Sequence, residues 1–193
     1  MTVRLTLLCA AAPAGRDVRV GDVLLDERAL RRTRTVAEAL PTVAGTRYTA
    51  PSQRSRQTAE ALNWNNAVVE PALRDLGMGR WGGRTVDELA AGEPEAFAAW
   101  LTDPESAPHG GESVADLCGR IAAWLDELPD DTGRVAAVVE QAVARAAVLH
   151  ALSAPCQSFW RIDVPPLAAV QLTGRAGRWN LRWGPTGMSA GDA

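Results

Sequence analysis

The chain has 193 residues, of which 47% are hydrophobic and 22% are charged, and this composition predicts one soluble globular domain with a single core. Its net charge of -3 excludes an electrostatic basis for binding nucleic acid or an anionic membrane surface. Three widely spaced cysteines, Cys9, Cys118 and Cys156, argue against a disulfide framework or a zinc site and indicate a reducing, cytoplasmic setting.

The first predicted element is a nearly continuous apolar strand, Val3–Leu8, in a run too short for a signal peptide or a membrane span. A helix follows at Asp26–Leu40, closed by a proline, and then a short strand at Arg47–Thr49. Ser52 is expected to cap the next helix, which runs to about Leu62. This alternation is typical of an α/β fold with a mostly parallel sheet.

The next region, Pro71–Pro108, is rich in Gly, Trp and Pro and is expected to cover one end of the sheet. Its patterns predict two short helices, near Thr85–Ala91 and Glu95–Leu101. The remaining predicted elements are an amphipathic helix at Ser113–Leu128, a buried strand at Arg134–Val139, a helix at Gln141–Leu152, and edge strands at Trp160–Val164, Ala168–Thr173 and Trp179–Trp183 with a turn at Gly174–Gly177. We expect one domain over residues 1–183 and a flexible tail over residues 184–193.

Two of the buried strands end where apolar residues give way to small or polar ones. The first strand runs into Cys9 and Ala10, and the strand that ends at Val139 runs into Glu140 and Gln141. Because ligands of open α/β sheets bind beyond the carboxyl ends of the central strands, we expect a pocket at this edge.

The segment Ala50–Glu60 reads A-P-S-Q-R-S-R-Q-T-A-E, which resembles the S-P-x-x-R-A-x-Q-T-A signature of the histidine phosphatase superfamily, the phosphoglycerate-mutase-like enzymes. Ala50 and Ser55 depart from the signature's Ser and Ala. The Gly79–Gly82 turn and the His109–Ser113 element add to the resemblance. It implies a three-layer α/β/α sandwich with a mostly parallel central sheet, and often a homodimer.

Members of this family end their first strand with Arg-His-Gly, whose histidine is the phosphorylated nucleophile, whereas this chain has Cys9, Ala10 and Ala11. The resemblance also places Glu140 where the family has its second catalytic histidine. A carboxylate about 4 Å from a phosphate oxygen costs on the order of 4 kcal/mol at an effective dielectric near 20. We therefore predict that phosphohistidine chemistry is lost, and that Glu140 pairs with Arg54 directly or through water.

Three other residues have both a functional and a structural interpretation. Arg54 matches the family's phosphate-binding arginine, and its alternative is a salt-bridged surface residue. Asp75 occupies the place of the family's general acid, and its alternative is an ion pair with Arg74 or Arg80. Trp81 is either a ligand-stacking residue or a loop anchor.

The pocket is expected to include further residues near its mouth and floor. His109 is a candidate acid or base at the mouth, and its alternative is an idle exposed histidine. Cys9 is either a nucleophile or a small apolar residue. Ala10 and Gln141 complete the expected ligand contacts.

The leading functional hypothesis is a repurposed pocket for a small non-phosphate molecule. Glu140 would be the base, Asp75 or His109 the acid, and Arg54 the orienting cation in an isomerisation, dehydration, cyclisation or hydrolysis. One alternative is a non-catalytic pseudophosphatase that acts through a protein partner. The other is a phosphatase whose nucleophile has moved to Cys9 or His109. All three are expected to need no metal and no cofactor.

Overall fold

Six strands form one sheet in the computed structural model, which describes residues 2–13, 19–39 and 45–183. The strands are β1 (Val3–Cys9), β2 (Thr46–Thr49), β3 (Val68–Val69), β4 (Arg134–Val139), β5 (Ala169–Arg175) and β6 (Arg178–Arg182). Their order across the sheet is β3-β2-β4-β1-β5-β6. The four strands from β3 to β1 pair in parallel, and β5 and β6 continue the sheet antiparallel. The predicted mostly parallel sheet is confirmed.

The helices of the described residues are α1 (Glu27–Ala39), α2 (Gln53–Ala61), α3 (Val86–Gly92), α4 (Pro94–Thr102), α5 (Val114–Asp126) and α6 (Gln141–Leu152). Short 3₁₀ segments lie at Pro71–Leu73, Gly79–Trp81 and Cys156–Arg161. None of these helices is long and apolar enough to cross a membrane.

Helices cover both faces of the sheet, because successive residues of a strand point to opposite sides. Leu7 of β1 shares one buried apolar cluster with Leu117 of α5 and Leu149 of α6. The next residue, Leu8, belongs to a second cluster that includes Ala59 of α2. This arrangement confirms the predicted three-layer α/β/α sandwich and explains why the central strands are apolar on both faces.

The sequence patterns located most elements to within a few residues. The strand Arg134–Val139 and the helix Gln141–Leu152 are confirmed with the predicted bounds. Ser52 caps α2 as predicted, since its hydroxyl accepts a hydrogen bond from the Ser55 amide at 3.1 Å. The predicted end of the first helix at Leu40 and the predicted tail over residues 184–193 lie outside the described residues.

The prediction of three edge strands near the C-terminus is wrong in two respects. The segment Trp160–Val164 is no strand, because residues up to Arg161 form the last 3₁₀ segment. Its apolar side chains pack inward instead, with the Trp160 ring 4.4 Å from that of Trp100 between centroids. In addition, β5 lies between β1 and β6, so of these two C-terminal strands only β6 lies at an edge of the sheet.

A close backbone contact at glycines joins two distant parts of the region between β3 and α5. The Glu112 amide donates to the Gly77 carbonyl at 2.7 Å, and a Cβ added at Gly111 would lie 1.9 Å from that same oxygen. This contact sets the path from the Gly-rich turn into α5, the helix that packs against the sheet.

We expect Gly111→Ala to lower the free energy of unfolding by about 1–3 kcal/mol, because the added methyl group meets backbone that has no room to shift. Gly119→Ala is the matched control, since Gly119 is an exposed residue of α5 whose added Cβ meets nothing within 4 Å. That variant should gain about 0.5–1 kcal/mol. Urea unfolding measures both, and equal effects of the two variants would contradict the packing described here.

Candidate active site

The ends of three neighbouring strands bring the candidate site together. The Ala10 amide, just after β1, donates to the carbonyl of Val139 at the end of β4, with an N···O distance of 2.7 Å. The Ala50 amide, just after β2, donates to the Val138 carbonyl at 2.8 Å. Glu140 therefore emerges beside both the start of α2 and the end of β1, at the edge where the sequence predicts a pocket.

Glu140 is nearly inaccessible, with 2% of its surface exposed, and its carboxylate turns towards α2. The Ser52 hydroxyl donates to Glu140 Oε1 at 2.7 Å and the Ser55 hydroxyl donates to the same oxygen at 3.0 Å. Arg54 Nη2 donates to the other oxygen, Oε2. The predicted Arg54–Glu140 pair is thus confirmed as a direct ion pair. We call Ser52, Arg54, Ser55, Asp75 and Glu140 the Arg54 cluster.

The guanidinium of Arg54 keeps hydrogen-bonding capacity beyond its contact with Glu140. Its Nη2 lies 3.9 Å from Asp75 Oδ2, and its Nε is buried with no hydrogen-bond partner among the described residues. Burial by itself would lower the pKa of Arg54, but the Glu140 carboxylate more than offsets this and raises it. Arg54 is therefore a permanent cation with a buried donor that still requires an acceptor.

Asp75 is the group of the cluster that titrates near neutral pH. Burial, and then the charge of Glu140, raise the pKa of Asp75 to about 7. Its Oδ1 accepts a hydrogen bond from the Leu76 amide at 2.8 Å, and its side chain is 30% exposed. A carboxyl with these properties can carry a proton at neutral pH and still reach a bound molecule.

The alternative ion pairs for Asp75 are not formed in the described part of the chain. Arg74 pairs with Glu112 at 2.9 Å, and Arg80 pairs with Glu93 at 2.6 Å. The nearest guanidinium to Asp75 is that of Arg54 instead. This places Asp75 in the Arg54 cluster, where the family resemblance expects an acid.

Arg145 of α6 is a second cation at this edge, and sequence reasoning missed it. Its Nε donates to the Ile162 carbonyl at 2.8 Å, and its guanidinium carbon lies 5.5 Å from the centre of the Trp160 ring. Burial lowers the pKa of Arg145, while the charges of neighbouring acidic groups, Asp75 among them, act to raise it. Among the described residues, no carboxylate lies within 4.0 Å of Arg145, so its two Nη groups have no ionic partner.

A sequence signal for Arg145 does exist. Gln141 and Arg145 are four residues apart in α6, so they share one face of the helix. Gln141, a predicted ligand contact, is the first residue of α6 and is half-buried. Its position predicts that Arg145 also faces the strand ends.

The position of Cys9 argues against a role as a nucleophile. The residue is fully buried, and burial, followed by the charge of Glu140, raises the pKa of its thiol to about 12. Because the thiolate is the reactive form, Cys9 is inert at neutral pH. Ala10 is also buried, with 4% exposure, and packs in the cluster that contains Leu8 and Ala59.

His109 and Trp81 pack against each other, with 5.0 Å between their ring centroids. His109 is 1% exposed, its Nδ1 accepts from the Gly111 amide at 3.0 Å, and burial lowers its pKa, with a smaller contribution from Arg80. Trp81 is fully buried, and its indole N–H donates to Glu93 at 3.2 Å. Both side chains are buried, so His109 is not the exposed residue of the alternative interpretation, and neither side chain makes a hydrogen bond to the Arg54 cluster.

Ser52 and Ser55 were not among the predicted site residues. Ser55 stands where the signature has Ala, and its fully buried hydroxyl contacts Glu140, which the sequence resemblance places where the family has a histidine. Two departures from the family pattern, 85 residues apart, therefore meet in one hydrogen bond. The two departures, taken together, are a sequence signal for the contact between Ser55 and Glu140.

Comparison with known proteins places this chain in a family. The family model described as Histidine phosphatase superfamily (branch 1) matches residues 10–184. Phosphoserine phosphatase 1 of Hydrogenobacter thermophilus is 30% identical over 122 residues, which cover 60% of this chain and 57% of that protein. Glucosyl-3-phosphoglycerate phosphatase of Mycobacterium tuberculosis is 33% identical over 112 residues, which cover 54% of this chain and 50% of that protein. The chain thus spans about half the length of these curated relatives.

A solved structure with the same fold is that of a phosphoserine phosphatase from Entamoeba histolytica, in a histidine-to-alanine variant that holds phosphoserine. Its TM-score is 0.77 at 18% identity, covering 93% of this chain and 94% of that one. At this identity the likeness concerns the fold alone.

These comparisons correct the functional hypotheses drawn from sequence. Both curated relatives are phosphatases, which contradicts a pocket for a non-phosphate molecule and a partner-binding pseudophosphatase. The hypothesis counted the full repulsion between Glu140 and a phosphate, although it also paired Glu140 with Arg54, and it did not include the two serine hydroxyls. Arg54 and two serine hydroxyls satisfy its carboxylate, so the repulsion expected against a phosphate is offset within the protein.

Proposed function

Because the chain belongs to the histidine phosphatase superfamily, branch 1, we propose that it hydrolyses phosphomonoesters in the Arg54 cluster. In this proposal Ala10 and Glu140 stand at the places that the sequence resemblance gives to the family's two catalytic histidines. One observation carries this proposal: Arg54 has a buried Nε without a partner beside a carboxyl whose pKa is raised to about 7. A phosphoryl oxygen supplies the missing acceptor, and the carboxyl supplies the proton that a leaving oxygen needs.

Two guanidinium groups hold the phosphoryl group in this proposal. Arg54 donates from Nε, while its Nη2 stays on Glu140. Arg145 donates from its Nη groups, since its Nε is fixed on the Ile162 carbonyl and its ring contacts hold the guanidinium plane. Two fixed cations offset the negative charge of the phosphate and the charge that develops on its oxygens during transfer.

Asp75 acts as the general acid. Its raised pKa keeps a substantial fraction of the carboxyl protonated at neutral pH, and its partial exposure lets it reach the ester oxygen. Transfer of this proton turns the leaving alkoxide into an alcohol. The shorter side chain of Asp, compared with the Glu of the family pattern, requires the ester oxygen to lie closer to the loop that carries Asp75.

The absence of a histidine at position 10 does not by itself prevent phosphomonoester binding. The fold relative from Entamoeba histolytica holds phosphoserine in a histidine-to-alanine variant. This supports the view that a pocket of this fold can hold a phosphomonoester when one of its histidines is an alanine.

The experiment that tests the proposal is phosphate release from a panel of esters chosen from the relatives: phosphoserine, glucosyl-3-phosphoglycerate and p-nitrophenyl phosphate as a general probe. We expect saturable release that orthovanadate inhibits competitively. Arg145→Gln should raise KM by about tenfold or more, since it removes a charged hydrogen-bond donor. Arg161→Gln, which changes an exposed arginine nearby, is the matched control and should leave KM unchanged. Release from no ester of the panel would contradict the proposal.

A further inference from the structure

We infer that Ser52 is the nucleophile of this site and that Glu140 is the base that takes its proton, an inference that rests on the proposed phosphatase function. The Ser52 hydroxyl donates to Glu140 Oε1 at 2.7 Å. Arg54 holds the second oxygen of the same carboxylate. A hydroxyl, a base within hydrogen-bond reach and a third group that orients the base form the arrangement used in nucleophilic catalysis.

The position of Ser52 distinguishes it from the other nucleophiles of the pocket. Ser52 is half-buried and caps α2, two residues before Arg54. Ser55 contacts the same carboxylate oxygen but is fully buried, so a substrate cannot reach its hydroxyl. Cys9 is a buried, protonated thiol at neutral pH. Ser52 is therefore the hydroxyl that both faces a base and retains exposed surface.

The transfer proceeds in two steps. In the first, the Ser52 proton moves to Glu140, a bond forms between Ser52 Oγ and phosphorus, and the bond from phosphorus to the ester oxygen breaks. Asp75 gives its proton to that oxygen, which leaves as the alcohol. In the second, water attacks phosphorus and gives a proton to Asp75, the bond to Ser52 Oγ breaks, and Glu140 returns the proton to Oγ. The products are one alcohol and one inorganic phosphate.

The charges of the cluster suit this sequence of steps. Proton transfer neutralises Glu140 as the phosphoryl group arrives, so the carboxylate no longer repels it. The phosphoserine then lies at the amino end of α2, where the helix dipole and Arg54 favour an anion. Asp22 accepts hydrogen bonds from the Gln53 amide at 2.8 Å and the Arg54 amide at 3.2 Å at the same helix end. Its negative charge opposes accumulation of the phosphoserine and favours its breakdown.

The test uses a trap for the phosphorylated protein. p-Nitrophenyl phosphate needs no proton on its leaving group, so Asp75→Asn still permits the first step but deprives the second of its base. We expect a burst of p-nitrophenolate of about one equivalent in this variant, and peptide mass spectrometry should find one phosphoryl group on Ser52. Ser106→Ala added to Asp75→Asn is the matched control, because Ser106 lies in the loop between α4 and α5, outside the Arg54 cluster, and the Ser52 peptide of this variant should still be phosphorylated.

Removing the Ser52 hydroxyl from the otherwise wild-type protein should lower kcat by at least about a hundredfold. Ser52→Ala also removes a helix cap, so Ser52→Asn, which keeps a capping oxygen without a hydroxyl, is the second variant and should be equally slow. Hydrolysis at the wild-type rate by Ser52→Asn, or a burst without phosphate on Ser52, would overturn Ser52 as nucleophile while leaving the phosphatase function standing. If the wild-type protein releases phosphate from no ester, both the inference and the proposed function fail.

Discussion

Replacing Arg54 with Ala is expected to lower the free energy of unfolding by about 3–5 kcal/mol, because it leaves the Glu140 carboxylate buried without its cation. With 2% exposure, Glu140 cannot recover the lost interaction from water. Urea unfolding of the purified variant measures the change. The same substitution removes the donor proposed for the phosphoryl group, so it should abolish detectable hydrolysis as well.

A second substitution separates these two effects. Adding Glu140→Gln to Arg54→Ala removes the uncompensated charge, and we expect the double variant to regain about 1–3 kcal/mol of stability over Arg54→Ala alone. Hydrolysis should not return, because the phosphate-binding cation and the base are both absent. If Arg54→Ala alone is as stable as the wild-type protein, the ion pair does not hold the pocket together as described.

Asp75→Asn is expected to slow hydrolysis of alkyl phosphates by about 10²–10⁴-fold, since an alkoxide leaving group needs the proton that Asp75 supplies. The first turnover of p-nitrophenyl phosphate should change little, because its leaving group is stable as an anion. Stopped-flow measurement of both esters gives the contrast. Asp126→Asn is the matched control and should behave as wild type, because this carboxyl lies at the end of α5 and pairs with His150 of α6 rather than with the Arg54 cluster.

The pH dependence follows from the direction of the Asp75 shift. The acid must be protonated to act, and its pKa is raised to about 7, so kcat/KM for an alkyl phosphate should fall as the pH rises through about 7. Asp75→Asn should lack this decline, because amide groups do not titrate in that range. The raised pKa of about 7 sets the pH window from 6 to 8. A wild-type profile that stays flat across this window would show that Asp75 is not the acid.

Local patterns in the sequence were sufficient for the strands and helices that position the site. Strand β4 is apolar up to Val139 because both of its faces are covered. The polar residue that follows Val139 begins the pocket. The pairing of Arg54 with Glu140 was also predicted, because the family resemblance placed both residues at one pocket and a buried glutamate without a cation is costly. The elements themselves depend on apolar patterns, which neighbouring residues in the chain indicate directly.

The conclusions that failed depend on contacts between distant segments. Arg145 was missed because its orientation is set by the Ile162 carbonyl and by Trp160, which lie beyond the end of its helix. The function was misjudged for a similar reason. Glu140 was expected to pair with Arg54, but the hydroxyls of Ser52 and Ser55, which also bind its carboxylate, were not included.

The central claim is that the Arg54 cluster hydrolyses phosphomonoesters without a catalytic histidine at position 10 or 140. Its most direct test is steady-state phosphate release from phosphoserine and p-nitrophenyl phosphate by the wild-type protein, beside the Arg54→Ala/Glu140→Gln double variant. We predict saturable release by the wild-type protein that orthovanadate inhibits, and none above background by the folded double variant. Equal rates for the two proteins, or no release by either, would contradict the claim.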